Sequence, residues 1–202
     1  LKYKNRINFN DMNVSVIIQK MVDAEISGIV YTVNPETGNE NDILVEACFG
    51  QGELITTGSI MPDRYIVNKV TKKINEKNIN KQEFMLIRDD NIGRNIKKSL
   101  FNAEEQKLGD EEIAKVVEYA LEIEGIYQKP QEIEFCINKD KLYVLQSKPL
   151  VVSVKEDKEK YTDVIEEELR SKEHNILARG LNANVGVKKG KVNIINSNED
   201  LT

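Results

Sequence analysis

The sequence has 202 residues, 40% of them hydrophobic and 31% charged, the profile of an ordinary globular chain with one good-sized domain or a domain plus an appendage. Its 29 basic and 34 acidic residues leave a net charge of −5 with no long basic stripe, which argues against nucleic acid as principal partner. The acidic balance does not exclude ATP, because phosphate sites are local and usually include a divalent metal. No apolar run approaches the ~20 residues of a membrane helix and no signal peptide is visible, so no membrane partner is expected. Cys48 and Cys136 form neither a CxxC pair nor a metal-site spacing and read as buried small apolar residues in a reducing cytoplasm. The chain begins at Leu1 rather than methionine and stops in an acidic stretch, so both ends read as cuts in a longer polypeptide.

Val14 to Val22 (VSVIIQKMV) is apolar and β-branched and predicts a well-buried strand, with Ser27 to Asn34 (SGIVYTVN) as its partner. Asn34-Pro35-Glu36-Thr37-Gly38 supplies a turn. Ile43 to Phe49 predicts a third strand closed by Gly50-Gln51-Gly52, and Arg64 to Val70 a fourth, followed by a Lys/Asn-rich hairpin or loop over Thr71 to Lys81. Asp110 reads as a helix N-cap with Glu111 and Glu112 favourable in the first turn. Ile113, Val116, Val117, Ala120 and Leu121 then fall at helical spacing, to an end near Gln128 before Pro130. Glu132 to Ile137 and Leu142 to Lys148 predict two short strands. The pattern implies an α+β fold with a mainly antiparallel sheet and one long helix. After Pro149 the character changes. Residues 1–151 form the first domain, 152–179 a charged, helical linker, and 180–202 the start of a small β-rich appendage with Gly186 and Gly190 as turn residues.

The chemistry concentrates in the hairpin that ends the first domain. Side chains alternate across a strand, so Glu132 and Glu134 share one face, as do Gln146 and Lys148. With Lys139-Asp140-Lys141 as a three-residue loop, Asn138 pairs with Leu142, Glu134 lies opposite Gln146, and Glu132 opposite Lys148. A two-residue loop would put glutamates and glutamine on opposite faces. The first register collects two carboxylates, an amide and an ammonium, a set suited to a magnesium-bound triphosphate: Mg²⁺ takes hard oxygen ligands, and a nearby lysine offsets phosphoryl charge. The same set also fits the solvent face of an edge hairpin with cross-strand ion pairs. Gly50 and Gly52 precede no GK[ST], and Gly186-Val187-Lys188-Lys189-Gly190-Lys191 lacks the spacing too, so neither is a Walker motif.

Gln131 to Phe135 (QEIEF) followed by Leu142 to Pro149 (LYVLQSKP) resembles the "QDIEW … LYVLQSRP" ending of the nucleotide-binding domain in the phosphoenolpyruvate synthase and pyruvate phosphate dikinase family. Gln19-Lys20-Met21-Val22 resembles that family's "VQKMV" strand. Ser27-Gly28, Tyr31-Thr32-Val33-Asn34-Pro35 and Thr37-Gly38 resemble "SGVxFTxNPxTG". Glu46-Ala47 with Gly50-Gln51-Gly52-Glu53 resembles "EAxxGLGE", and Pro62-Asp63-Arg64-Tyr65 resembles "PDxY". These pieces stand in family order from Tyr3 to Pro149.

The resemblance implies the C-terminal part of an ATP-grasp domain, with ATP and Mg²⁺ as cofactors. It implies Glu134 and Gln146 as metal and phosphate ligands, with Glu132 an acidic neighbour of the same site. Lys148 would offset phosphoryl charge. Gln19, Lys20, Met21 and Val22 would line the adenine pocket, with Met21 as an apolar wall, and Glu53 would contact the ribose. In the full enzyme, phosphoryl would pass from ATP to a histidine outside this chain and then to pyruvate, with the remaining domains of the polypeptide as partners, a homodimer as the open oligomeric option, and a cytoplasmic location. The fragment alone is expected to be inactive. A rifampicin-type antibiotic phosphotransferase, the pyruvate phosphate dikinase and a non-catalytic ATP-binding module are the alternatives. Two departures stand out: Lys148 replaces the usual arginine, a point charge for a bidentate fork, and Glu132 replaces aspartate. Gly180 to Val192 (GLNANVGVKKGKV) resembles the opening "GxxASPGxxxGxV" of the family's phosphohistidine domain without its SP pair, and His174 reads as an ordinary surface residue.

Overall fold

The computed structural model of the protein describes residues 15–89 and 91–151. The linker, the appendage and His174 lie outside them, as does Val14. The elements run β1 (Ile26–Tyr31), β2 (Asp42–Phe49), a short α1 (Glu53–Thr56), β3 (Asp63–Asn68), β4 (Ile74–Asn78), β5 (Phe84–Asp89), β6 (Arg94–Ser99), α2 (Asp110–Tyr127), β7 (Gln131–Asn138) and β8 (Lys141–Pro149). Six strands form a sheet in the order β4-β3-β2-β1-β7-β8, and β5 pairs with β6 as a separate hairpin. Every ladder is antiparallel. The α+β architecture with one long helix is the expected one.

The core follows from alternation. Val30 pairs with Val45 and with Ile133, and Val45 pairs with Tyr65, so one face carries a continuous apolar row. Helix α2 lays Ile113, Val116, Val117 and Ala120 on that face, and all of them are buried with the row. Gly28 permits the closest approach in this layer: a Cβ there would stand 2.3 Å from the Glu46 carbonyl oxygen and 2.5 Å from the Phe135 ring. Neither neighbour can yield, so the position requires glycine.

Several expectations need correction. Residues 15–24 form no strand, and Val16, Ile17 and Ile18 are exposed. The reason is that β1, the expected partner, already has both ladder edges occupied, by β2 and β7. Propensity alone makes no strand without a free edge. The strand begun at Asp63 ends at Asn68, not Val70, because the Asn68 side chain accepts the Val70 and Thr71 backbone N–H groups in a turn. The predicted solvated hairpin after it contains β4, joined antiparallel to β3. Gly109, not Asp110, is the N-cap of α2; Glu112 reaches back to accept the Gly109 N–H at 2.8 Å, while Asp110 pairs with Lys77. The helix ends at Tyr127 with Gln128 in the left-handed region, as the Pro130 signal implied. The β5–β6 hairpin was not expected at all.

One buried ion pair ties the layers together. Asp63 and Lys107 are both fully buried, with Lys107 Nζ 2.9 Å from Asp63 Oδ1. The same carboxylate accepts the Tyr65 hydroxyl at 2.9 Å and the backbone N–H groups of Asn80 and Lys107, each at 2.9 Å. Asp63→Ala is therefore expected to lower stability by about 3–5 kcal/mol, since it strands a buried ammonium. Adding Lys107→Met in the same protein should recover part of the loss. Urea unfolding of the two variants checks it, and a single-variant loss under about 1 kcal/mol would contradict the analysis.

Candidate functional site

The sheet face opposite α2 carries the polar residues, in two cross-strand rows. The first runs Gln146, Glu134, Ile29, Glu46, Arg64 from β8 to β3. The second runs Lys148, Glu132, Tyr31, Leu44, Ile66. Glu134 thus lies opposite Gln146, and Glu132 opposite Lys148, as the register argument required.

The route to that register differs from the expected one. The loop has two residues, Lys139 and Asp140, both with positive φ (48° and 62°), so Asn138 pairs with Lys141 rather than Leu142. Such a turn alone would put Glu134 and Gln146 on opposite faces. A bulge restores them: Phe135 pairs with Val144, Glu134 pairs with Gln146, and Leu145 is the extra residue between.

The charges on this face are mostly matched. Lys148 Nζ stands 2.8 Å from Glu132, which raises the lysine pKa through that hydrogen bond and charge. Arg64 contacts Glu36 at 2.7 Å and Glu46 at 3.4 Å, though its Nε and one terminal nitrogen make no well-aligned hydrogen bond. Glu46 is held above the ordinary carboxylate range, first by burial and against the pull of Arg64. Tyr31 is pushed up by burial and then by Glu46, Glu132 and Glu134, so it stays a neutral phenol between the carboxylates. The side chains of Glu134 and Gln146 engage no hydrogen bond or ion pair among the described residues, which leaves a carboxylate and an amide on paired positions that could ligate a hard cation. No group of three or more His, Cys, Asp and Glu side chains could hold a metal among the described residues.

Beside Glu134 opens a cavity of about 240 Å³. Met21, Ile29, Glu53, Asn95, Glu134 and Leu145 are among its lining residues. Three residues singled out in the sequence therefore meet around one space, although 113 positions separate Met21 from Glu134 (134 − 21). Gln19 and Lys20 are exposed and do not line it; nor does Val22, whose carbonyl accepts the side-chain N–H of the lining residue Gln51 at 3.0 Å. Gln146, Lys148 and Glu132 flank the cavity through their pairing with β7 without lining it. Sequence reasoning passed over the roles of Tyr31, Glu46, Arg64 and Asn95. Glu46 and Arg64 stand inside quoted motifs, and their parity along the strands could have assigned them to this face.

The family model of the pyruvate phosphate dikinase AMP/ATP-binding domain matches residues 1–169. The chain belongs to this AMP/ATP-binding domain family. A probable phosphoenolpyruvate synthase of Archaeoglobus fulgidus is 40% identical over 194 residues, covering 95% of this chain and 25% of the relative. The phosphoenolpyruvate synthase of Pyrococcus furiosus is 37% identical over 201 residues, covering 95% of this chain and 24% of its own length. A probable phosphoenolpyruvate synthase of Methanocaldococcus jannaschii is 36% identical, covering 96% of this chain and 16% of the relative. The chain spans about a quarter or less of these relatives. The candidate residues Glu132, Glu134, Gln146 and Lys148 share the sheet face that α2 leaves uncovered.

The raised pKa of Glu46 carries a pH signature. Below the ordinary glutamate range the group is protonated in both folded and unfolded chains, and nothing is lost. As pH rises through that range toward the raised folded value, ionisation is harder in the fold, so its contribution to stability falls. Relative to Glu46→Gln, the wild-type protein should become progressively less stable as pH rises from the ordinary glutamate range upward. Urea midpoints of both proteins across that window test this; a gap that does not widen with pH refutes it.

Proposed function

We propose that this chain is the C-terminal part of an ATP-grasp nucleotide-binding domain in a phosphoenolpyruvate synthase. The full-length protein would bind Mg-ATP, transfer a phosphoryl group to a histidine outside this chain, and pass it to pyruvate. The observation that carries the reading is the cavity that gathers Met21, Glu53 and Glu134 next to the Glu134–Gln146 pair. The names of the relatives, each a synthase of this kind, support the choice of reaction.

In this reading Met21 and Ile29 form the apolar wall for the base, and Glu53 at the head of α1 takes the ribose hydroxyls. Glu134 and Gln146 hold Mg²⁺, which when bound offsets charge on the phosphate oxygens. Lys148 begins paired to Glu132, half-exposed, with a side chain free enough to share its charge with a phosphate. Glu132 keeps that ammonium on the site face. The protein is proposed to act in the cytoplasm; among the described residues no helix is long and apolar enough to cross a membrane. A homodimer of the full-length protein is part of the same proposal.

Replacing Glu134 by glutamine in the full-length protein should lower turnover of ATP with pyruvate by ~10²-fold or more, because it removes an anionic ligand where phosphoryl charge must be stabilised. The change in stability should stay within about 1 kcal/mol, since the side chain packs no core. Lys148→Arg should keep or raise activity through a bidentate contact. Steady-state assays at sub-saturating Mg²⁺ decide it. Wild-type turnover by Glu134→Gln would make the carboxylate a solvated hairpin charge, and turnover with an antibiotic in place of pyruvate would change the acceptor.

A further inference from the structure

Asn95 lies on β6, outside every motif of the family resemblance, yet it lines the same cavity as Met21, Glu53 and Glu134. Its Nδ2 donates to Glu53 Oε2 at 3.1 Å. Its Oδ1 is buried and has no hydrogen-bond partner. The carboxylate dictates this orientation: an ionised glutamate only accepts, so the amide nitrogen must face it and the oxygen must turn away. The flipped amide would set oxygen against oxygen.

That arrangement is a poor one for the fold alone. A buried carbonyl without a partner lowers stability, and the compensating bond goes to Glu53, an exposed residue on a four-residue helix. An apolar side chain would serve packing better at this position. The amide is held in place nonetheless, because the β5–β6 hairpin is anchored to the turn that carries Glu53. Gln51 N–H donates to the Leu86 carbonyl at 2.9 Å, and Gly50 forms a bridge with Leu86. The Gln82 side chain clamps both the N–H and the C=O of Phe49, at 2.9 and 3.0 Å. Glu53 and Asn95 therefore approach each other from two elements fixed to the same turn.

We propose that Asn95 is a positioning residue for nucleoside recognition: it fixes one oxygen of Glu53 so that the remaining lone pairs face the ribose hydroxyls of the bound nucleotide. This rests on the reading of Glu53 as the ribose contact. Orientation of a single flexible carboxylate is worth having because an unanchored glutamate loses rotamer freedom when it binds. The β5–β6 hairpin then belongs to the binding site through Asn95.

The test uses the full-length protein and compares binding of ATP, 2′-deoxy-ATP and 3′-deoxy-ATP by calorimetry, with thermal midpoints measured alongside. The wild type should prefer ATP over at least one deoxy analogue. Asn95→Ala should weaken ATP about 10-fold, leave the deoxy analogue nearly unchanged, and so flatten the discrimination, with a thermal midpoint no lower than wild type. Asn95→Asp, which keeps the shape but turns the donor into a like charge, should lose at least as much. Glu53→Ala should also flatten the discrimination. If Glu53→Ala keeps it, the ribose reading of Glu53 fails and the inference falls with it. If Glu53→Ala loses it while both Asn95 variants keep it, the ribose reading stands and the role of Asn95 is overturned. A lowered midpoint in the Asn95 variants with discrimination intact would mark a structural residue and overturn the inference equally.

Discussion

Asp63 is the constraint from which the layering follows. Its carboxylate has about four lone-pair directions, and four donors occupy them: the Tyr65 hydroxyl, the Asn80 N–H, the Lys107 N–H and the Lys107 ammonium. These groups come from β3, from the segment leaving β4, and from the segment entering α2. Leu108 N–H adds a bond to the Tyr65 hydroxyl at 3.1 Å, one residue before the Gly109 cap. The start of α2 is therefore tied to the start of β3, and the helix must run across the face that holds Tyr65, Val45, Val30 and Ile133. A fully buried lysine is tolerable only with such a partner set, and removing any member exposes the desolvation of the rest.

Once α2 covers one face, the parity of each strand decides what every motif does. In Pro62-Asp63-Arg64-Tyr65, Asp63 and Tyr65 turn inward to the buried network while Arg64 turns to the open face. In Gln131 to Phe135, Ile133 and Phe135 enter the core while Glu132 and Glu134 stand on the site. In Val45-Glu46-Ala47 the outer residues pack and Glu46 does not. Each motif thus sends alternate positions to the core and to the open face, which is why a motif residue cannot be assigned a role from its presence in the motif alone. Asp63 looks no less functional than Glu134 in the sequence. Burial separates them.

The antiparallel sheet, the long helix and the shared face of Glu132 and Glu134 were legible because alternation and helical spacing are local signals; the grouping of Met21 and Glu53 with Glu134 came only with the family resemblance. What escaped depended on neighbours far away in the chain. Residues 15–22 have strong strand propensity, but whether they pair depends on whether β1 has a free edge, and Ile137 and Phe49 at its two sides lie over a hundred and about twenty positions distant. The β5–β6 hairpin was hidden by the charged, partly exposed β6, although the apolar run Phe84 to Ile87 and the glycine at position 93 were available as strand and turn signals. The β7–β8 register is the instructive case. The Lys139-Asp140 turn lacks the usual glycine, and nothing near Leu145 marks a bulge, so two irregularities went unseen. They shift the ladder in opposite directions, and the residues beyond the bulge end where a bulge-free hairpin with a longer loop would put them.

The electrostatics of the open face say what kind of ligand it can accept. Arg64 is shared by Glu36 and Glu46, and Lys148 is held by Glu132, so both cations are already engaged. Glu134 has no such partner, and Tyr31 between the carboxylates is held neutral by burial and by their charge. As it stands, the rim of the cavity is an acidic surface that would repel a triphosphate. The wall at Met21 and Ile29 has the opposite character, apolar and suited to a flat base. Under the proposed reading these two halves are joined by positive charge beyond what Lys148 can share, from a divalent cation at Glu134 and Gln146 and from groups elsewhere in the full-length protein. An acidic rim would then disfavour tight binding of nucleotide until those positive partners are in place.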